Sequence, residues 1–373
     1  MNKIRLAIVG ATGLVGRTVL KVLEEKNLPI SEYVLFASSK SAGKKIRFMG
    51  TDYIVHELKE DSFDSGFDFA IFSAGGSTSK KFAPIAASKG CIVVDNSSAF
   101  RMNPDVPLVV PEVNPEEIQN NHGIIANPNC STIQAVVALK PLDDKYRIKR
   151  IVYSTYQAVS GAGRYGVEDL ENGIKDYMNS SIITDTNKLE NLNIKSNYKL
   201  QKFDYPIFSN CLPHIDVFLE NGYTKEEEKM INETRKILKK PELKITATTV
   251  RVPVFNSHSE SINVEFEKPF EMEDLVKTLS DFPELIVQDS SILSAIAHSK
   301  MAHLRNEITE SEQVNQEHPI YPLAINASGH DEVFVGRIRR DYSIESGINL
   351  WVVADNIRKG AASNAIQIVE KML

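Results

Sequence analysis

The first two dozen residues restrict the fold more than any other part of the chain. Ile4 to Val9 is an apolar run broken only by Arg5, and it leads straight into a turn with glycines at 10, 13 and 16. Arg17 to Leu23 then carries Val19, Leu20, Val22 and Leu23 at helical spacing. A buried strand feeding a tight turn and a helix is the opening unit of a doubly wound parallel sheet. Glycines in such a turn let the backbone bend sharply and come close to a pyrophosphate. The helix start offers free N–H groups and a positive dipole end at the same place. The candidate cradle is Gly10, Ala11, Thr12, Gly13, Leu14, Val15 and Gly16. Its spacing is Gly-x-x-Gly-x-x-Gly, a moderate signal by itself, which a ligand-free turn can also show.

Strand and helix keep alternating. Strands are expected at 33–37, 69–72 and 92–95, with an Ala-rich helix at 80–89 between the last two. After about residue 150 the pattern turns β-rich, with alternating runs at 151–156, 245–253, 260–266 and 333–338. That alternation suggests an antiparallel or mixed sheet with one covered face. Helices are expected at 224–239, 273–280 and 359–372. Residues 172–210 are polar and Asn-rich and read as a helix plus an extended surface excursion. The fold class is therefore α/β: a Rossmann-like parallel-sheet domain over residues 1–132, then an α+β domain over 133–355.

A length of 373 residues favours two domains and needs no disulfide or metal to hold a core. The net charge of -6 and the lack of a long Lys/Arg run give no reason to expect nucleic acid. Cys91, Cys130 and Cys211 form neither a disulfide framework nor a metal pair, which fits a reducing compartment. The leading apolar run is too short for a signal segment, and no stretch of 18 apolar residues exists. Cytoplasm is the default expectation, with no membrane partner. The histidines show no metal-ligand spacing; His330-Asp331-Glu332 is the nearest to one, and no metal is expected.

Cofactor choice is read after the second strand. An NAD enzyme usually places an acid there for the ribose 2′-hydroxyl. This chain has Ser38, Ser39, Lys40 and Ser41 instead, which suits a 2′-phosphate and favours NADP over an ordinary polar loop.

Asn127-Pro128-Asn129-Cys130 precedes a clear helix at 133–140, so Cys130 sits at or just before a helix start. There the dipole favours a thiolate, the form that attacks carbonyl carbon. From the residues alone a buried, inert cysteine is the plainer reading. Arg101 follows a strand end and a Ser-Ser turn, where open α/β sheets meet ligands, and Arg grips phosphate well. A surface ion pair is the plainer reading. Thr224 and Glu227 fit a capping box. Glu226 and Lys229 share a helix face that is not the apolar one, so spacing alone makes them a solvated ion pair. Arg251 and His258 are seven apart, which on one continuous strand puts them on opposite faces. They can share a site only if the chain breaks between them, near Pro253 or Asn256-Ser257.

The chain resembles the aspartate-semialdehyde dehydrogenase family over essentially its whole length. The matching stretches, in order, are Gly10 to Gly16, Ser73-Ala74-Gly75-Gly76, Asp95 to Arg101, Asn127 to Thr132, Tyr156 to Gly163, Arg251 to Glu260 and Asp355 to Ala362. Each is modest; their joint order is specific. The resemblance implies reduction of L-aspartyl 4-phosphate to L-aspartate 4-semialdehyde with NADPH. That step leads to lysine, threonine, methionine and, in many bacteria, diaminopimelate. It implies Cys130 as nucleophile, His258 as acid/base and Gln157 as the residue orienting the acyl group. Arg101 and Lys229 would hold phosphate, Glu226 the substrate ammonium and Arg251 its α-carboxylate, with Asn129 beside the substrate. Ser73, Ala74, Gly75, Gly76, Ser160, Gly161 and Asn356 would join the glycine turn and Ser38, Ser39 and Ser41 around the cofactor. It also implies a homodimer built on the second sheet, and a last segment, 356–373, returning to the first domain.

Two related families share this layout. N-acetylglutamyl-phosphate reductases usually follow the Cys with Tyr-Pro, and here Ser131-Thr132 follows. Glyceraldehyde-3-phosphate dehydrogenases usually carry Cys-Thr-Thr-Asn-Cys, which is absent. An NADP-binding sensor without turnover is a further alternative. Against it, Cys130, Gln157, Arg251 and His258 are all present together.

Overall fold

A computed structural model describes residues 4–179, 198–290 and 319–373. Part of the Asn-rich excursion, residues 180–197, lies outside the described residues, as do His298, His303 and His318.

The first sheet has seven strands: β1 (Arg5–Val9), β2 (Glu32–Ala37), β3 (Lys45–Phe48), β4 (Thr51–Glu57), β5 (Phe69–Phe72), β6 (Ile92–Asp95) and β7 (Ile124–Ala126). Their order is β3-β4-β2-β1-β5-β6-β7, and every pairing is parallel except β3 with β4. The chain runs from β1 to one side and later returns to its other side through β5. The carboxyl ends of β1 and β5 thus form the switch point where such sheets take ligands. Helices α1 (Leu14–Lys26) and α2 (Gly76–Ser88) start at those two ends. The expected strands and the Gly-turn helix are present; α2 begins four residues before its expected start.

The β3–β4 hairpin was not legible in the sequence. Its two-residue loop is Met49-Gly50, with φ of +48° and +69°. Both positions need the left-handed region, as a type I′ turn does, and Met-Gly is not the usual signal for one.

The second sheet is mixed, in the order β11-β12-β13-β10-β8-β9. Its strands are β8 (Ile148–Gln157), β9 (Lys244–Arg251), β10 (His258–Phe266), β11 (Leu285–Val287), β12 (Val333–Arg340) and β13 (Gly347–Ala354). Alternate residues of β10, such as Ile262, Val264 and Phe266, face a core shared with α3 (Cys130–Tyr146), α5 (Lys225–Ile237) and α6 (Met272–Ser280). A further helix, α4 (Arg164–Asn179), precedes α5 in the chain.

Helix α3 runs past Pro141, beyond the expected end at Lys140. Proline removes one helical hydrogen bond, at a cost of about 3 kcal/mol. Buried Leu142 and Tyr146 lie beyond it, and burying one such side chain contributes roughly 1.5–3 kcal/mol. Tertiary burial outweighs the local penalty.

The chain ends in a wide helical turn, Arg358–Ser363, and a helix, Asn364–Glu370. Ala365, Ile366, Ile368 and Val369 are fully buried in the same cluster as Leu6 and Ile8 of β1. At roughly 1.5–3 kcal/mol for each large side chain, this contact is comparable with the whole stability of an ordinary domain, about 5–15 kcal/mol.

Candidate active site

Helix α3 begins at Cys130, and Asn129 caps it. The Asn129 Oδ1 accepts from the backbone N–H of Ser131 at 3.0 Å and of Thr132 at 3.3 Å. Its Nδ2 donates to Glu226 Oε1 at 2.8 Å, and its own N–H donates to Glu233 Oε2 at 2.6 Å. Both ends of the Asn129 side-chain amide are thus engaged in shaping the thiol's turn.

The cysteine remains partly open to solvent. Burial pushes its thiol up to about 12, and the Glu226 carboxylate pushes the same way. Arg101, Arg251 and the Ser131 N–H pull it down. The helix start does favour the thiolate, as its position suggested, but burial outweighs it in the free protein.

Glu226 and Lys229 do pair, but Glu226 is buried and Lys229 only partly exposed, where their spacing alone suggested a solvated pair. Glu226 is buried, and its Oε2 accepts from the Lys229 Nζ at 3.0 Å. Lys229 also donates to Asp216 at 2.8 Å. The physical reason is tertiary: this polar face of α5 packs onto the start of α3. Burial by itself would raise the Glu226 carboxyl. Lys229, Asn129 and Arg251 more than offset that, and it lies below its usual value. Gln157 donates weakly to the same Glu226 oxygen at 3.3 Å.

The chain breaks where the shared site required it. β9 ends at Arg251, β10 begins at His258, and Ser257 between them has φ of +70°. This break brings both side chains to the peptide of Ala158. The Arg251 Nη1 donates to the Ala158 carbonyl at 2.6 Å. The Ala158 N–H donates to His258 Nδ1 at 3.0 Å. An N–H can only donate, so Nδ1 carries the lone pair and the neutral ring holds its proton on Nε2. Burial, helped by Arg251, holds His258 well below the usual imidazole value. The Arg251 Nε and His258 Nε2 are both buried without a hydrogen-bond partner among the described residues. Gly161 lies against both: a Cβ there would be 2.9 Å from Arg251 Nη1 and 3.2 Å from His258 Nε2. Ser160 and Asn356 bond each other at 3.0 Å, and the Asn356 Oδ1 accepts the Ser257 N–H at 2.9 Å. That pair holds the chain just before His258.

Arg101 is buried at the edge of a cleft of about 500 Å³ that also meets Gly76, Lys80, Ser98, Lys225 and Lys229. Its Nε and Nη2 donate to the carbonyls of Asn127 and Asn96, at 2.9 and 2.8 Å. Its Nη1 meets Glu233 Oε1 at 3.1 Å. Sequence reasoning missed Glu233; the available signal was its place seven residues after Glu226, on the same helix face. It missed Glu260 too, fully buried two residues after His258, with its carboxyl pushed well above the usual range by burial. Another cleft, lined by Arg5, Phe36, His56 and Phe67, contains none of the expected site residues.

The glycine turn fits a dinucleotide. Gly10 has φ of +90°, and a Cβ there would be 2.3 Å from the Ser73 carbonyl oxygen. A Cβ at Gly16 would be 2.2 Å from the Gly10 oxygen. Both glycines are needed for backbone to meet backbone at the switch point. Among the described residues no side chain caps α1 at Gly13, so its first N–H groups have no side-chain partner there, next to Ala11, Thr12, Leu14 and Val15. Across the switch point, Ser73 and Ala74 lead to Gly75 and Gly76, where a Cβ would meet nothing within 4 Å. Beyond β2, Ser38, Ser39 and Lys40 are exposed, and the Ser41 hydroxyl lies 3.5 Å from that of Thr12. Among the described residues, no three His, Cys, Asp or Glu side chains group as metal ligands. None of their helices is long and apolar enough to cross a membrane.

Comparison with known proteins gives this arrangement a family. Residues 5–121 match the model described as semialdehyde dehydrogenase, NAD binding domain, and residues 139–359 match semialdehyde dehydrogenase, dimerisation domain. The aspartate-semialdehyde dehydrogenase of Aquifex aeolicus is 52% identical over 371 residues, covering 99% of this chain and 98% of that one. The Bacillus subtilis enzyme of the same name is 42% identical, covering 99% and 97%. Among solved structures, aspartate semialdehyde dehydrogenase II of Vibrio cholerae, described as complexed with ASA, is 42% identical and superposes with a TM-score of 0.83. It covers 100% of this chain and 98% of that chain. With a Rossmann-type nucleotide domain, a second mixed sheet and this similarity along its whole length, the chain belongs to the aspartate-semialdehyde dehydrogenase family.

Proposed function

We propose that this protein reduces L-aspartyl 4-phosphate to L-aspartate 4-semialdehyde with NADPH, reversibly, through a thioester on Cys130. One observation carries the reading: Arg251 and His258 meet at Ala158 and Gly161, and the Arg251 Nε and His258 Nε2 are both buried with no hydrogen-bond partner among the described residues. A thiol, an imidazole and a guanidinium with an unspent donor suit an acyl substrate that carries an α-carboxylate.

The cofactor is held by residues 10–16, by Ser73, Ala74, Gly75 and Gly76, and at its 2′-phosphate by Ser38, Ser39 and Ser41. Ser160, Gly161 and Asn356 border the same space. Bound NADPH supplies the hydride. The choice of NADP over NAD rests on the hydroxyls and Lys40 after β2, where an acid would repel a phosphate.

Arg251 pairs the substrate carboxylate and Glu226 its ammonium. Arg101 and Lys229 hold the phosphate, and Asn129 keeps the thiol's turn in place. Cys130 sulfur attacks the acyl carbon, the bond from that carbon to the phosphate oxygen breaks, and the departing phosphate carries away the thiol proton. The resulting thioester is a better hydride acceptor than a carboxylate. Gln157 orients it. His258 begins with its proton on Nε2, so its first act is donation toward the carbonyl oxygen. Having donated, it takes a proton back as Cys130 is released.

We also propose a division at residues 1–132, 133–355 and 356–373, for nucleotide binding, for catalysis and dimerisation, and for the return to the first domain. The homodimer would form on the uncovered face of the second sheet, where Tyr156 and Trp351 lie 5.4 Å apart and partly exposed. Cytoplasm is the proposed location, and the step feeds lysine, threonine, methionine and diaminopimelate synthesis.

The test is phosphate-dependent NADP reduction with L-aspartate 4-semialdehyde, beside N-acetylglutamate 5-semialdehyde and glyceraldehyde 3-phosphate. Turnover with the first alone, and only with phosphate, is expected. NADP binding without turnover on any of them would overturn the proposal.

A further inference from the structure

Two carboxylates of α5 grip the residue before Cys130 from two sides. Glu226 takes the Asn129 side-chain amide, and Glu233 takes its backbone N–H. They are seven residues apart, two helical turns, and so lie on one face. Glu226 also meets Lys229 and Gln157, whereas Glu233 reaches Arg101. The other Glu233 oxygen holds the Arg101 guanidinium at 3.1 Å. Glu233 is 1% exposed and Arg101 7%, so neither contact is diluted by bulk water. Lys236, one turn further along α5, donates to the carbonyls of Arg101 and Val106, both at 2.8 Å. The backbone around Arg101 is thereby tied to the same helix.

We propose that Glu233 is a positioning residue: one carboxylate ties the anion-gripping Arg101 to the turn carrying Cys130, fixing the distance between phosphate grip and nucleophile. The inference deepens the function proposed above and rests on it for the role of phosphate.

The geometry has a chemical logic. An acyl phosphate places its leaving group one bond from the carbon that sulfur attacks. A guanidinium free to swing would bind phosphate away from that line. Arg101 has five N–H donors, and contacts to two carbonyls and Glu233 take three. The other two remain for the cleft. The Glu233 carboxylate weakens the charge pull of Arg101 on an anion, and the gain from aim exceeds that loss.

That trade gives a test in which charge and position predict opposite results. Cys130 would be alkylated by iodoacetate, an anion, and by neutral iodoacetamide, each without substrate. Glu233→Gln removes a negative charge from the site, which alone would raise the iodoacetate-to-iodoacetamide rate ratio. Loss of Arg101 aim should lower it, and we expect a fall of at least threefold. In turnover assays, Glu233→Gln should raise the KM for phosphate at least fivefold. Arg101→Lys combined with Glu233→Gln should add little to Arg101→Lys alone, because both act through one contact. Glu233→Asp provides a second variant should the first fold poorly, with the same expected direction. A ratio that is unchanged or raised would overturn the proposal, as would an unchanged phosphate KM in an active enzyme. Should the wild-type protein show no phosphate-dependent turnover, the functional reading fails, and the alkylation ratio still decides whether Glu233 aims Arg101.

Discussion

The N–H of Ala158 is bonded to Nδ1 of His258 at 3.0 Å, while the carbonyl of the same residue accepts from Arg251. One residue therefore sets the tautomer of the imidazole and the direction of the guanidinium. Neither partner can turn without losing a buried hydrogen bond. Leaving one such group unsatisfied costs about 1–3 kcal/mol. In the neutral His258 ring the proton therefore sits on Nε2.

His258 should leave a mark on stability as a function of pH. Its folded value is depressed, so the unfolded chain binds the extra proton first as pH falls. Stability is then fully present above the ordinary imidazole value and is lost progressively as pH drops below it. Urea unfolding at pH 7.5 and pH 5.5 should show a smaller loss for His258→Gln than for the wild type. Equal losses would mean the ring is not held neutral.

Cys130→Ala should abolish turnover, by at least roughly 10⁴-fold, as loss of a nucleophile does in other covalent enzymes. NADP affinity, read by fluorescence titration, should stay within about twofold, since the glycine turn lies on other elements. Substantial remaining turnover would remove Cys130 from its assigned role.

Gly161→Ala should reduce kcat. The added Cβ would approach Arg251 Nη1 to 2.9 Å and the His258 ring to 3.1 Å. Gly161 is not among the positive-φ glycines, so the cost falls on those neighbours and not on the local chain. Overpacking of this kind costs about 1–3 kcal/mol. A displacement near 1 Å at a reacting group can cost about 100-fold in rate. Steady-state kinetics should show a loss of roughly 10- to 100-fold with a modest change in melting temperature. Wild-type kcat in this variant would show that the two groups tolerate displacement.

Glu260 gives a prediction of opposite sign to His258. Its folded value is raised by burial, so the folded state keeps a proton that the unfolded chain releases. This contribution is full below the ordinary carboxyl value and is lost as pH rises above it. Glu260→Gln, neutral and similar in shape, should flatten the decline in unfolding free energy between pH 5 and pH 8. An unchanged slope would mean that Glu260 carries no raised value.

Some of this molecule was legible from its residues alone. The Gly10–Gly16 turn, the capping pair Thr224 and Glu227, and the break between Arg251 and His258 all depend on neighbours within a few residues. Backbone sterics, a local hydrogen bond and strand alternation are enough to read them. The β3–β4 hairpin and the length of α3 beyond Pro141 were not legible, because long-range burial overrides the local preferences at Met49 and Pro141.

The sequence by itself determined the alternation of strand and helix, the glycine turn and the types of group available for chemistry. Only the tertiary structure decided their state. It buries Glu226 against Asn129, turns an apparently solvated helix face into the floor of the site, and brings Glu233 to Arg101 across 132 residues of chain. It also pushes the Cys130 thiol up and holds His258 well below the usual imidazole value. Those states follow from desolvation and from contacts between distant segments, and neither quantity exists until the chain has folded.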